Sequence, residues 1–292
     1  LWNNAVEKRM YLTGSIGSSG ILERFTTDYD LPNDCNYSES CASIGLALFG
    51  LRMARITKDA SYLDIVERAL YNTVLSGIAM DGKSFFYVNP LEVWPDNCME
   101  FTSKEHVKAV RQKWFGVACC PPNIARTLAS LGQYIYSVGE DSLFVNLFVA
   151  NETELSLGGR KIQIGLDTKF PVENKLVLRV RAESGEPFTL AVRVPEGITA
   201  IGASAFSGNR RLTRIDLPKG VDTIEQYAFY NCSVLETVTM QDGVTYVGNS
   251  AFTNCPVLAD VKLPDSVTEL GQDAFAQCPK LTSVVLPDGI TE

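Results

Sequence analysis

The sequence predicts a multidomain chain of α and β parts: helices first, an antiparallel β region next, and a solenoid of repeats last. Three observations predict it. Apolar residues recur at helical spacing through residues 39–77 and 123–136, the period turns alternating from Leu143, and a 23-residue unit repeats from Pro195 onward. The expected divisions are residues 1–140, 141–194 and 195–292.

Residues 1–37 are rich in Gly, Asp, Pro and Asn, and Thr13–Gly17 and Asp28–Asp34 read as loops around a short helical start. From Glu39 to about Ile56, Ile44, Leu46, Leu48, Phe49, Leu51 and Met53 are dense enough for a largely buried helix. Asp59 and Ser61 then offer N-caps for a second helix through Tyr62, Ile65, Val66, Leu70 and Val74 to Gly77. Phe85–Leu91 reads as a short extended segment stopped by Pro90, and residues 92–113 are polar and irregular. Pro121 and Pro122 suit the first turn of a further helix, Asn123 to Tyr136, with Ile124, Leu128, Leu131 and Ile135 on one face.

Alternation then marks strands at 144–149, 154–157, 161–165, 175–181 and 188–194, which in succession are expected to make an antiparallel sheet. In the repeats, Phe206, Phe229, Phe252 and Phe275 stand 23 residues apart, as do Pro195, Pro218, Gln241, Pro264 and Pro287. Such a unit cannot bury its own apolar side, so stacking must supply the core. Cys232, Cys255 and Cys278 fill one repeat position, taken by Asn209 in the first unit, and are expected to form an inward-facing ladder.

The 292 residues, 46% apolar and 21% charged, are ordinary for globular protein and long enough for two domains. A net charge of -8 and a pI near 4.9 argue against nucleic acid or an anionic membrane as partner. No apolar run approaches the roughly 20 residues of a membrane span. The chain begins without Met, directly in patterned sequence, as a fragment would. His106, the one histidine, lies in a polar stretch and reads as a solvated surface residue.

One stretch resists explanation as packing: Ala118-Cys-Cys-Pro-Pro-Asn123. Adjacent thiols strain any mutual disulfide, and at a helix start the amide groups and dipole favour thiolate, so metal or nucleophile chemistry is implied. About eighty residues upstream, Glu39-Ser-Cys41 completes a set of three sulfurs and one carboxylate, which is zinc-like. Buried, unreactive thiols are the competing reading at this point.

Two families resemble parts of the chain. Residues 1 to about 194 resemble glycoside hydrolase family 127, the β-L-arabinofuranosidases, through Tyr11-Leu-Thr-Gly-Ser-Ile-Gly17, Phe25-Thr-Thr-Asp-Tyr-Asp-Leu-Pro-Asn33, Tyr37-Ser-Glu-Ser-Cys-Ala-Ser43, Glu67-Arg-Ala-Leu-Tyr-Asn72, Phe86-Tyr-Val-Asn-Pro-Leu91 and Ala118–Asn123. Residues 195–292 resemble the BspA-type leucine-rich repeats common on bacterial surface proteins.

The first resemblance implies an (α/α)6 barrel followed by β-sandwich domains, here a partial barrel over 1–140 and a sandwich segment over 141–194. It implies a retaining mechanism with Cys119 as nucleophile, Glu23 as general acid/base, and Glu39, Cys41, Cys119 and Cys120 as ligands to a Zn2+ cofactor. It also implies sugar contacts from Glu67 and Tyr87. The expected substrate is an arabinofuranoside of plant glycans or glycopeptides. A half-built barrel, with one histidine where the family has several, is expected to lack much of the wall that holds the sugar. The alternative, of a different class, is a non-catalytic surface protein that binds protein or glycan through its repeats.

Overall fold

The computed structural model describes residues 1–173, 176–182, 188–195 and 197–291, and the chain divides into two units, Leu1–Arg193 and Val194–Glu292. In the first, a short helix α1 (Trp2–Lys8) sets Trp2 edge-on against Phe49 and Tyr62, at 5.2 and 5.1 Å between ring centres. Loops follow, as the Gly- and Asp-rich composition requires. Helix α2 (Ser40–Thr57) then buries Ile44, Ala47 and Leu51, and Lys58 closes it in the left-handed region at φ 62°.

Helix α3 (Ser61–Ala69) packs back along α2, and the Asp59 carboxylate accepts the Ser61 N–H at 2.9 Å. The expected run to Gly77 is not all α: Leu70–Leu75 is a π-helical turn. Within that turn the Thr73 hydroxyl donates to the carbonyl of Thr13 at 3.1 Å, a tertiary bond that local periodicity does not encode. Residues 92–113 are irregular as expected, apart from one 3-10 turn at Pro95–Asn97.

The helix expected from Asn123 to Tyr136 starts three residues earlier, with Pro121 and Pro122 in its first turn. It breaks in two, α4 (Cys120–Ala129) and α5 (Gly132–Ile135), where Ser130 leaves helical geometry. Tyr136 then opens strand β1 (Tyr136–Val138).

The β region follows as β2 (Ser142–Val145), β3 (Asn151–Leu157), β4 (Arg160–Thr168), β5 (Leu176–Ala182) and β6 (Thr189–Val192); Lys175, expected at the start of the fourth of these strands, lies outside the described residues. Strands β3, β4 and β5 form an antiparallel meander. Its first hairpin turns on Gly158 and Gly159, both at positive φ as a two-residue turn matching strand twist requires. The expectation of one antiparallel sheet is corrected by the other sheet, ordered β1-β2-β6, in which β2 and β6 run parallel. The meander separates those two strands in sequence, so the chain returns to β2 in the same direction. Leu143, Val145, Ile162 and Ile164 join Ile44, Val66 and Ile124 in a single core.

Arg193, just beyond β6, fastens this region to α3. Its side chain is 2% exposed and donates to Asp64 at 2.5 Å, to Glu67 at 2.6 Å and to the Asn146 carbonyl at 2.7 Å. A buried cation and its carboxylates tolerate the loss of neither side, because the survivor keeps its desolvation cost.

In the second unit the 23-residue period becomes register. Strands β7 (Ala200–Ile201), β9 (Thr223–Ile224), β11 (Tyr246–Val247) and β13 (Glu269–Leu270) form one parallel sheet. A second comprises β8 (Arg214–Asp216), β10 (Thr237–Thr239) and β12 (Asp260–Lys262), with Ile215 beside Val238 and Val238 beside Val261. The four phenylalanines stack face to face at 5.1, 5.0 and 5.3 Å, within 5° of parallel. The cysteine ladder faces inward. Cys232, Cys255 and Cys278 each donate to a phenylalanine carbonyl in the preceding repeat, at 3.2, 3.2 and 3.1 Å. No helix among the described residues is long and apolar enough to cross a membrane.

Replacing Arg193 by Met is expected to destabilise the first unit by about 2–4 kcal/mol, read by urea unfolding, since two part-buried carboxylates lose their ion pair with a buried cation. Phe252→Ala, which opens a cavity at a fully buried stack position, is expected to cost the repeats about 3–5 kcal/mol in the same measurement.

Candidate metal centre

Both halves of the cysteine–glutamate set lie at helix amino-termini. Glu39 is the residue before α2 and Cys41 lies in its first turn, while Cys119 precedes α4 and Cys120 opens it. The start of α2 is pinned by an extended segment: Ser40 N–H donates to the Tyr87 carbonyl at 3.0 Å, and its hydroxyl to Phe86 at 3.0 Å. Glu39 bridges Val88 across the same pairing. That pairing also delivers Tyr87 to the site.

The four ligand-type atoms, Glu39 Oε1, Cys41 Sγ, Cys119 Sγ and Cys120 Sγ, lie within 4.8 Å of one another. The sulfur separations are 3.5 Å (Cys41–Cys119), 3.4 Å (Cys41–Cys120) and 3.7 Å (Cys119–Cys120). Glu39 Oε1 accepts from Cys119 at 3.0 Å and from Cys120 at 3.4 Å. Sulfurs about 2.3 Å from a tetrahedral ion would stand about 3.8 Å apart, so the donor set needs only small outward adjustment to hold a metal. Cys120 is 0% exposed and Glu39 8%, whereas Cys119 is open to solvent. Burial thus grades across the set, from Cys120 and Glu39 through half-buried Cys41 to exposed Cys119.

Burial pushes the Cys119 thiol up to about 11, against the opposing hydrogen bond from Tyr87. Burial, followed by the neighbouring Cys41, raises Cys120 as well. Both thiols therefore keep their protons at neutral pH until a cation stabilises the thiolate. The Tyr87 hydroxyl stands 2.8 Å from Cys119 Sγ, and burial, then that thiol, raises its own ionisation.

Glu23 ends a 3-10 turn (Ile21–Glu23), is exposed, and takes left-handed backbone at φ 50°. The Tyr37 hydroxyl donates to its Oε1 at 2.8 Å, and the Tyr37 ring meets Tyr87 edge-on at 6.3 Å. Glu23, Tyr37, Tyr87 and Cys119 thus form one chain of contacts. Glu67 is not among them: its Oε2 is held by Arg193, its Oε1 is buried with no hydrogen-bond partner among the described residues, and burial raises its carboxyl.

Tyr37 was not evident from sequence, although it lies two residues before Glu39 in a block already singled out. His106 corrects the surface expectation. It is half-buried, its ring 5.6 Å from Tyr37 and its Nε2 3.1 Å from the Cys35 carbonyl. No motif surrounds it, so nothing in the sequence marks that contact.

Comparison with known proteins gives this geometry a family. Residues 1–133 match the model described as β-L-arabinofuranosidase, GH127 catalytic domain, residues 142–213 the GH127 middle domain, and residues 189–292 the BspA-type leucine-rich repeat region in six copies. A non-reducing end β-L-arabinofuranosidase of Bifidobacterium longum subsp. longum is 44% identical over 159 residues, 54% of this chain and 24% of that protein. The solved GH127 β-L-arabinofuranosidase of Geobacillus stearothermophilus is 50% identical, covers 67% of this chain and 31% of its own, and superposes with a TM-score of 0.64. A second solved GH127 β-arabinofuranosidase is 38% identical over 67% of this chain and 29% of its own, with a TM-score of 0.59. The chain therefore spans less than a third of the length of these relatives. On these matches residues 1–133 belong to glycoside hydrolase family 127 as catalytic-domain sequence, followed by a middle-domain match over 142–213 whose end overlaps the BspA-type repeat match over 189–292.

Proposed function

We propose that the chain carries the zinc–cysteine part of a retaining β-L-arabinofuranosidase site. In this reading residues 1–140 contribute to an (α/α)6 barrel, 141–194 to the β-sandwich, and 195–292 form a separate repeat domain. The observation that carries it is the cluster of three thiols and one carboxylate in which Cys119 is the most exposed member. Glu39, Cys41, Cys119 and Cys120 would hold the zinc. Zinc, when bound, keeps the sulfurs deprotonated at neutral pH.

The chain's own groups then divide the work. Cys119 attacks the anomeric carbon and forms a carbon–sulfur bond as the glycosidic oxygen leaves. Glu23 gives that oxygen its proton, then takes one from the water that cleaves the sugar from sulfur. Tyr37 holds the Glu23 carboxylate, and Tyr87 steadies the nucleophile with its hydroxyl. Tyr87 and Glu67 are assigned to sugar contact, Glu67 by its motif alone. The substrate class is an arabinofuranoside of plant glycans or glycopeptides. Because the chain spans less than a third of its relatives, the remaining wall of the sugar pocket is assigned to sequence these residues do not supply.

Zinc analysis of the purified chain is expected to give about one ion per molecule, and hydrolysis of an aryl β-L-arabinofuranoside to fall about a thousandfold or more in Cys119→Ala. A parent chain that holds no zinc and shows no turnover overturns the reading. Zinc affinity is expected to rise about a thousandfold per pH unit across the neutral range, a factor of ten for each of the three thiols that must release a proton on binding. Competition against a chromophoric chelator at several pH values measures it.

A further inference from the structure

Repetition separates what the solenoid needs at a position from what one repeat adds there. Segments 203–208, 226–231, 249–254 and 272–277 stack in register: Ser204 N–H donates to the Gln226 carbonyl, Gly208 to Tyr230, and Tyr227 to Asn249. Equivalent positions therefore share one face. One of them takes left-handed backbone in every repeat, at Ser204 (φ 57°), Tyr227 (57°), Ser250 (53°) and Asp273 (58°). Short polar residues suit that conformation, whereas a tyrosine there is strained and gives the backbone nothing in return. Three residues further on the position holds Ser207, Tyr230, Thr253 and Ala276. The fold accepts small residues at both places, and one repeat alone carries aromatic rings.

Those rings are not core. Tyr227 is 44% exposed and Tyr230 37%, while Phe229 between them is fully buried. Their rings meet edge to face at 5.7 Å and 88°. Beside them in the preceding repeat lie exposed Ser204, Ser207 and Gly208, so the tyrosines stand at the edge of a floor without bulky side chains. Segments 203–208, 226–231 and 249–254 contain no charged residue in a chain that is 21% charged, although Arg210 and Arg211 follow the first of them and Asp273 lies in the fourth segment. Glu225, just outside, is committed to the Ala203 N–H at 2.9 Å. Asn254 donates its amide to Asn231 at 3.0 Å, leaving the remaining amide and hydroxyl groups around the rings as neutral donors and acceptors.

We infer that Tyr227 and Tyr230 form a ledge that binds neutral glycans, with the apolar face of a sugar ring against an aromatic face and its hydroxyls on the Ser and Asn groups. The inference is independent of the metal centre.

The test replaces both residues in the full chain, Tyr227→Ser with Tyr230→Ser, which places in this repeat what Ser250 and Ser207 already supply in its neighbours. Affinity electrophoresis in gels containing arabinan, arabinogalactan or dextran is the readout. The parent chain is expected to be retarded by at least one of these, and the apparent affinity of the double variant to fall about tenfold or more. Its thermal midpoint is expected to hold or rise as left-handed strain is relieved. Cys119→Ala is expected to bind as the parent does, so failure at the metal centre and failure at the ledge are told apart. No retardation of the parent, or equal retardation of the double variant, overturns the inference. Retention on immobilised gelatin instead of the glycans, lost in the double variant, assigns the ledge to a peptide partner and overturns it equally.

Discussion

The candidate centre depends on two helix amino-termini being held at one point. Neither stretch can build the site alone, because Glu39-Ser-Cys41 and Cys119-Cys120 lie about eighty residues apart and each supplies half the donors. What brings them together is the packing of α2 against α4, with Cys120 buried at 0% exposure in the same core as Ile44 and Ile124. Helix dipoles then converge on the sulfurs, a local field that favours anions before any ion is considered. The arrangement also explains why one thiol is open. Cys119 lies outside the helix that buries its neighbour, so its sulfur keeps a free side.

Much of this was legible in the residues. The donor set could be written down because adjacent cysteines before paired prolines have few structural uses, and all four donors are found together. The repeat was legible because its period survives as register. What sequence could not show was set by contacts distant along the chain. Thr73 reaches Thr13 inside a π turn, β6 returns parallel to β2 after a separate meander, and Arg193 takes Glu67 into a buried ion pair 126 residues away in sequence. His106 was misread for the same reason, since its neighbours Tyr37 and Cys35 are about seventy residues upstream and carry no periodic signal toward it.

The family match and the geometry constrain different things. The matches relate residues 1–133 and 142–213 to glycoside hydrolase family 127, while the structure shows that Glu39, Cys41, Cys119 and Cys120 lie close enough together to hold a metal ion. Metal capacity is local, resting on two short stretches and the extended strand that positions them. Sugar capacity is not, because a pocket needs walls on several sides. The Glu67–Arg193 pair illustrates the difference: a carboxylate assigned to sugar by its motif is here part of the fastening between α3 and the β region.

The in-register stack of the second unit governs how it yields. Each repeat touches only the one before and the one after, with phenylalanine on phenylalanine and strand beside strand, so loosening can halt at a repeat boundary. The first unit has a single core crossing helices and sheets and offers no such stopping places. Under gradual denaturation the two halves should therefore differ in sharpness as well as in midpoint, the solenoid fraying inward from its ends while the helical half lets go as one cooperative block.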